Sequence, residues 1–130
     1  MDNELTIGKK SVVAIMQNRE LGEIIKPLSR EIFLFDTFIA GTTHLEDISV
    51  LDDIKIGDRL ILQREDNRFD SNAILTLDEK KRKLGYVPEK DNIVFARLMD
   101  AGKLLFAKIK SMEMKGSFRR IRIGIYLVDF

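Results

Sequence analysis

The sequence predicts a mainly β, α+β domain in which about six strands form a small antiparallel barrel and two helices accompany it. Several segments alternate apolar and polar residues and are rich in β-branched and aromatic side chains, a pattern typical of strands. Short polar turns join most neighbouring segments, which favours antiparallel pairing. Helices rarely alternate with strands along the chain, and this disfavours a doubly wound parallel sheet.

The first predicted element is an amphipathic helix over residues 11–24. Its apolar residues recur at helical spacing, Ser11 is a candidate N-cap, and Pro27 lies beyond its end. We therefore divide the chain into an N-terminal helical extension, residues 1–30, and a barrel domain, residues 31–130.

The predicted strands cover residues 31–43, 59–65, 72–77, 82–88, 104–114 and 118–128. Residues 78–81 and 115–117 are short polar turns, so each is expected to close a hairpin. Pro88 ends the fourth strand because proline lacks a ladder donor. A second helix is expected over residues 91–101, followed by Gly102 at the position favoured for a helix C-terminal glycine.

Composition excludes several kinds of chemistry. The chain has no cysteine and a single histidine, His44, so disulfides, iron–sulfur clusters and multi-histidine metal sites are excluded. It has no glycine-rich phosphate loop, no zinc-protease motif and no nucleophile elbow. We therefore expect no enzyme activity, no cofactor and no metal. The N-terminus is polar and no apolar run approaches the length of a membrane span, which predicts a cytoplasmic protein.

Charge is divided unevenly along the chain. Residues 1–65 hold 8 Lys/Arg and 12 Asp/Glu, whereas residues 66–130 hold 14 and 9. In the last hairpin, alternation places Lys108 and Lys110 on one face of the first strand, and Arg120 and Arg122 on one face of the second together with Tyr126. If these faces coincide, the cations form a basic strip that suits a phosphate backbone, although the same pattern also describes an ordinary solvated face.

A polar loop over residues 66–72 is the second candidate site. Its Asp and Asn side chains can contact a ligand or bond their own backbone, and Phe69 can stack on a base or anchor the loop to the core. Tyr86 can likewise stack or pack. His44 follows a Gly-Thr-Thr strand end, where it is either a ligand contact or an ordinary surface residue.

These segments resemble the HIRAN family, which occurs in front of eukaryotic SWI/SNF-type helicases and as free-standing bacterial proteins. The matching strings are Phe-Ile-Ala-Gly-Thr at 38–42, Arg-Glu-Asp-Asn-Arg-Phe-Asp-Ser-Asn-Ala-Ile at 64–74 and Leu-Gly-Tyr-Val-Pro at 84–88. Arg68 replaces the proline common before the aromatic residue. Thr43-His44-Leu45 replaces the family's stacking aromatics.

The resemblance implies an OB-like β-barrel that binds DNA and captures the 3′ end of a single strand. Asp70 matches the aspartate that meets the terminal hydroxyl, and Phe69 is the aromatic residue beside it. A carboxylate accepts a hydrogen bond from a hydroxyl and repels a phosphate, so it can distinguish a free end from a continuing chain. Helicase and zinc-finger functions of fused domains do not transfer, because this chain has neither a Walker motif nor a cysteine.

The first hypothesis is thus a non-enzymatic module for single-stranded DNA or DNA 3′ ends, with a helicase or another DNA-repair protein as a candidate partner. The second is a protein-interaction adaptor that uses the acidic segment 46–58 and the N-terminal helix. A metal-dependent nuclease is disfavoured because the acids are scattered. The candidate nucleic-acid-binding residues are His44, Arg64, Asn67, Phe69, Asp70, Asn72, Tyr86, Lys108, Lys110, Arg120 and Arg122.

Overall fold

Alternating apolar side chains produce one six-stranded sheet. The computed structural model describes residues 30–129, so the expected helix over residues 11–24 lies outside the described residues. The strands are β1 (Arg30–Phe38), β2 (Arg59–Arg64), β3 (Ile74–Leu77), β4 (Lys83–Tyr86), β5 (Leu104–Lys115) and β6 (Phe118–Asp129), and helix α1 (Asn92–Asp100) follows β4. Within residues 30–129, no helix is long and apolar enough to cross a membrane.

The strands lie in the order β1-β6-β5-β2-β3-β4. The pairs β2–β3, β3–β4, β2–β5 and β5–β6 are antiparallel. The sheet curls into a half-barrel that carries α1 and two 3₁₀ turns, which confirms the predicted α+β fold class with its small, largely antiparallel OB-like sheet. Both predicted hairpins form, with β3–β4 and β5–β6 as their strands.

Three predicted strands are too long: the fourth, expected over residues 82–88, spans only Lys83–Tyr86, and the first and third are shortened by local turns. The first strand ends at Phe38 and does not reach residue 43, since Gly41 adopts a positive φ of 79° and Thr42–His44 form a 3₁₀ turn. The third begins at Ile74 because the preceding residues form side-chain-capped turns. A second 3₁₀ turn, Ile48–Asp52, lies in the acidic segment and was not predicted.

The core lies on the inner face of the sheet and under α1. Phe95 and Ala96 of the helix are buried against it, as are Val50 and Leu51 of the second 3₁₀ turn. The fully buried apolar side chains include Ile39, Leu60, Ile74, Leu84, Ile109, Ile121, Ile123 and Ile125. Alternate residues of β6 therefore point inward, and Arg120 and Arg122 occupy the opposite face.

The two ends of the strand order meet at one point. Ala40, just after β1, exchanges two backbone hydrogen bonds with Tyr86 of β4, at 2.8 and 2.9 Å. Gly85 permits this approach, because a Cβ there would lie 2.3 Å from the carbonyl oxygen of Ala40. The bridge places the turn after β1 beside β4, and so brings together parts of the chain that are far apart in sequence.

Candidate nucleic-acid interface

The turn after β1 forms one border of the candidate site. A Cβ on Gly41 would lie 3.9 Å from Cδ1 of Tyr86, so the turn packs beside the Tyr86 ring. His44 is exposed at the end of this turn, and its amide donates to the carbonyl of Gly41. His44 therefore lies, exposed, in the same short turn that packs beside Tyr86.

The loop between β2 and β3, residues 65–73, is held by two side-chain-capped turns. Asn67 Oδ1 accepts from the Phe69 amide at 2.8 Å, and Asp70 Oδ1 accepts from the Asn72 amide at 2.9 Å. These bonds are the local Asx turns that the composition of the loop allowed. The candidate residues Asn67, Asp70 and Asn72 therefore shape the loop, whatever ligand it meets.

Arg64 clamps both ends of this loop to α1. Its guanidinium donates to the carbonyl oxygens of Ala73 and Ser71 at 2.6 and 2.8 Å. It also donates to both carboxylate oxygens of Asp100, at 2.9 and 3.2 Å. These hydrogen bonds to the Asp100 carboxylate raise the pKa of Arg64. Arg64, a candidate contact in the sequence, has four of its five N–H donors occupied within the protein and acts as a positioning residue.

A hydrogen-bonded chain connects the loop to β4. Glu65 Oε2 accepts from Asn67 Nδ2 at 2.9 Å and from the Tyr86 hydroxyl at 2.8 Å. Lys83 Nζ donates to the same hydroxyl at 3.3 Å and lies 4.6 Å from the ring centroid. Tyr86 is half-buried, so its ring forms part of the wall between the loop and the turn after β1.

Phe69 projects from the loop into solvent. Its side chain is 81% exposed, the largest value among the exposed hydrophobic residues of the described chain. The Arg68 guanidinium carbon lies 4.8 Å from its ring centroid. Phe69 therefore does not anchor the loop to the core. An exposed aromatic ring beside a guanidinium is the kind of surface on which a nucleobase stacks.

Asp70 accepts hydrogen bonds both from the start of α1 and from its own loop. Its Oδ2 accepts from Asn92 Nδ2 at 2.8 Å, and Asn92 is 1% exposed. Each carboxylate oxygen has two lone pairs, so Asp70 retains acceptor capacity after these bonds. Sequence reasoning missed Asn92 because it lies 22 residues from Asp70 and carries no local signal of this contact.

The predicted basic strip lies on the outer face of β5 and β6, with one irregularity. The β5–β6 register shifts between Ile109 and Ser111, so Lys110 occupies a bulge. Lys108 and Lys110 both lie near the Tyr126 ring, with their Nζ atoms 4.8 and 5.2 Å from its centroid. Lys108 is also paired with Glu31 at 3.0 Å.

The two arginines of the strip lie in different surroundings. Arg122 lines an open depression together with Lys110 and Tyr126. Arg120 lies over the Phe38 ring, 5.2 Å from its centroid. Three of the four strip residues, Lys108, Lys110 and Arg122, thus surround Tyr126, whereas Arg120 lies toward the end of β1. The strip is on β5 and β6, and the loop site is on β2, β3 and β4.

The acidic segment uses its charges within the domain. Asp52 and Asp53 pair with Arg119 and Arg82, each at 3.0 Å, and Asp47 caps the second 3₁₀ turn by accepting from the Ser49 amide. Among residues 30–129, no group of three or more His, Asp or Glu side chains is arranged to hold a metal ion.

Comparison with known proteins identifies the family. The HIRAN domain family model matches residues 32–128. A solved structure of a Lactobacillus plantarum protein matches with a TM-score of 0.72 and 25% identity, covering 78% of this chain and 99% of that chain. The HIRAN domain of human HLTF matches with a TM-score of 0.60 and 13% identity, covering 76% and 79%. No curated protein matches the chain.

The family match covers most of the chain and includes the loop, the Tyr86 strand and the basic hairpin. The two structural relatives agree with the half-barrel fold. The chain therefore belongs to the HIRAN domain family, whose members are nucleic-acid-binding modules.

Proposed function

We propose that this chain is a non-enzymatic module that binds single-stranded DNA and recognises a 3′ end at the loop between β2 and β3. The observation that carries the proposal is Phe69, 81% exposed on a loop that Arg64 and two Asx turns hold in place. An exposed aromatic ring on a braced loop supports the proposal, because such a ring can stack on the face of any base.

The chemistry around Phe69 suits the end of a strand. Asp70, the next residue, has lone pairs left for a terminal hydroxyl, and its charge disfavours a phosphate at the same place. Tyr86 offers a further ring surface beside the loop, and His44 is an exposed ring in the turn that packs beside Tyr86. The partner in this proposal is a helicase or another DNA-repair protein that exposes such ends.

The test is a pair of matched substitutions. Phe69→Ala removes the exposed ring of the loop, and Ile56→Ala removes another exposed apolar side chain, 64% exposed, in the turn before β2. We expect Phe69→Ala to weaken binding of a single-stranded oligonucleotide by about 1–3 kcal/mol, the usual contribution of one base stack. Ile56→Ala should leave the affinity unchanged.

Thermal unfolding of both variants provides the control, and neither should lose much stability because both side chains are exposed. Equal affinities for the Phe69→Ala variant and the unmodified protein would contradict the loop assignment. If no single strand binds the unmodified protein, the nucleic-acid proposal fails and the adaptor hypothesis replaces it.

A further inference from the structure

The outer face of the sheet carries an open depression of about 390 Å³ that the loop site does not use. Among the described residues it is lined by Phe33, Asp36, Lys110, Arg122 and Tyr126. We call this depression the outer groove. It lies over β1, β5 and β6, on the face opposite the buried isoleucines of β6.

The fold creates the outer groove through one glycine and one bulge. Gly124 of β6 forms its floor, because a Cβ there would lie 2.7 Å from Lys110 Cε, 3.1 Å from Tyr126 Cε1 and 3.4 Å from Phe33 Cε1. The β5 bulge sets Lys110 outside the regular register, beside the same ring. A side chain at position 124 would collide with Lys110 and Tyr126, which pack over the glycine, and would displace them.

The walls of the outer groove are aromatic. Phe33, half exposed, meets Tyr126 edge to face with a centroid distance of 5.6 Å. Tyr126 in turn stacks on Phe106 at 5.3 Å with an interplanar angle of 13°. Phe106 is covered on its far side by the Arg59 guanidinium, 3.7 Å from its centroid. The Phe106 ring therefore supports the Tyr126 ring by stacking on it, and Phe33 presents ring surface beside Tyr126.

The charges around these rings are unequal. Glu31 accepts from both Lys108 and Arg59, so its single carboxylate offsets one of these two positive charges. Lys110 and Arg122 form no salt bridge with any residue in the described part of the chain. The neighbouring Tyr126 side chain and the nearby charge of Asp36 raise the pKa of Lys110. Lys110 is thus charged at neutral pH, and the groove presents two cations against one carboxylate.

We propose that the outer groove binds one nucleotide of a single strand, separate from the unit held at the loop. The base would lie against Phe33 and Tyr126, and the phosphate would contact Lys110 and Arg122. Asp36 can accept from an exocyclic amino group of the base. The inference rests on the proposed function, because it gives the same strand a second contact point.

The size and composition of the outer groove support this occupant. Its volume falls within the range of roughly 300–1,000 Å³ that is usual for small-ligand sites. Aromatic surface next to cations is the combination that single-strand-binding proteins use for successive bases and phosphates.

The chain offers a separate reporter for each site. It contains two tyrosines and no tryptophan; Tyr86 borders the loop and Tyr126 lines the outer groove. Protein labelled with 3-fluorotyrosine therefore gives two ¹⁹F signals, which Tyr86→Phe and Tyr126→Phe assign. We expect a single-stranded deoxyoligonucleotide to shift both signals saturably.

Substitutions then separate the two sites. Gly124→Val should abolish the Tyr126 response, because the added side chain displaces Lys110 and Tyr126 from their places in the outer groove, while the Tyr86 response persists. Lys110→Ala with Arg122→Ala should weaken binding and reduce the magnitude of the salt slope, log affinity against log salt concentration, by about 0.7, the value for one lost phosphate contact on a single strand. Lys103→Ala with Lys115→Ala removes two exposed cations elsewhere and should leave the Tyr126 response intact.

The outcomes distinguish the two proposals. In the Phe69→Ala variant the Tyr126 signal should still respond, so a loss of the Tyr86 response alone would separate the sites. If Tyr126 fails to respond to the strand in folded protein that shifts Tyr86, the outer-groove proposal is overturned and the loop proposal stands. If Gly124→Val does not fold, the double variant of Lys110 and Arg122 decides. The outer-groove proposal is overturned if that variant keeps both the Tyr126 response and the salt slope of the unmodified protein.

Discussion

At the scale of single residues, Asp70 shows how one side chain combines two roles. One carboxylate oxygen caps the Asn72 turn, and the other accepts from the buried amide of Asn92. The cap could be predicted from loop composition, since Asp and Asn in tight loops bond nearby backbone amides. The Asn92 contact could not, because it depends on the position of α1 against the loop.

Asp70→Asn tests whether the carboxylate also serves the ligand. We expect affinity for strands with a 3′ hydroxyl to fall about tenfold, because a charge-assisted bond of roughly twice the neutral strength is lost. Affinity for strands with a 3′ phosphate should not fall, since the repelling charge is gone. Fluorescence anisotropy with both labelled strands measures the two effects.

Asn92→Ala is the matched control for this change. It removes the buried partner of Asp70 but keeps the carboxylate, so the preference for the 3′ hydroxyl should survive. Each variant should lose stability by about 1–3 kcal/mol, because a buried hydrogen-bonding group loses its partner. If Asn92→Ala abolishes the end preference as fully as Asp70→Asn does, the carboxylate acts only by shaping the loop.

At the scale of elements, the two hairpin turns could be predicted from the sequence. The bridge that joins the two ends of the strand order could not. Gly116 and the polar residues at 78–81 mark the two hairpins by local chemistry alone, and both hairpins are present. The bridge between Ala40 and Tyr86 depends on how strongly the sheet curls, which no local pattern encodes. The bulge at Lys110 is likewise absent from the period-two pattern that predicted the strip.

Gly85→Ala tests whether the bridge between Ala40 and Tyr86 requires glycine at position 85. Its Cβ would meet the carbonyl oxygen of Ala40 at 2.3 Å, which requires the backbone to shift. We expect a loss of about 3 kcal/mol in the free energy of unfolding, at the upper end of overpacking costs. Gly57→Ala is the control, because Gly57 also has a positive φ but nothing within 4 Å of its Cβ position. The control should lose only about 1–2 kcal/mol.

Chemical denaturation of both variants measures the difference. Equal losses would mean that backbone conformation, and not the approach of Ala40, determines the need for glycine at position 85. In that case the bridge would contribute little to holding the turn after β1 beside Tyr86.

At the scale of the whole molecule, some of the charges that are divided unevenly between the two halves of the sequence pair with each other. Acids of the first half, Asp52 and Asp53, pair with Arg119 and Arg82 of the second. The exposed cations Lys110 and Arg122 remain beside aromatic rings on the outer face. The number of strands and their mainly antiparallel pairing could be predicted from the sequence. The pairing of β2 with β5 could not be predicted, because it depends on long-range packing.

The central claim is that this chain recognises the 3′ end of a single strand, and one titration tests it most directly. Unmodified protein is titrated against identical labelled deoxyoligonucleotides that end in a 3′ hydroxyl or a 3′ phosphate, at several salt concentrations. We expect saturable binding that weakens with salt, and an affinity about tenfold higher for the hydroxyl end. Equal affinities for the two ends would contradict end recognition, and the absence of binding to either strand would contradict the nucleic-acid function itself.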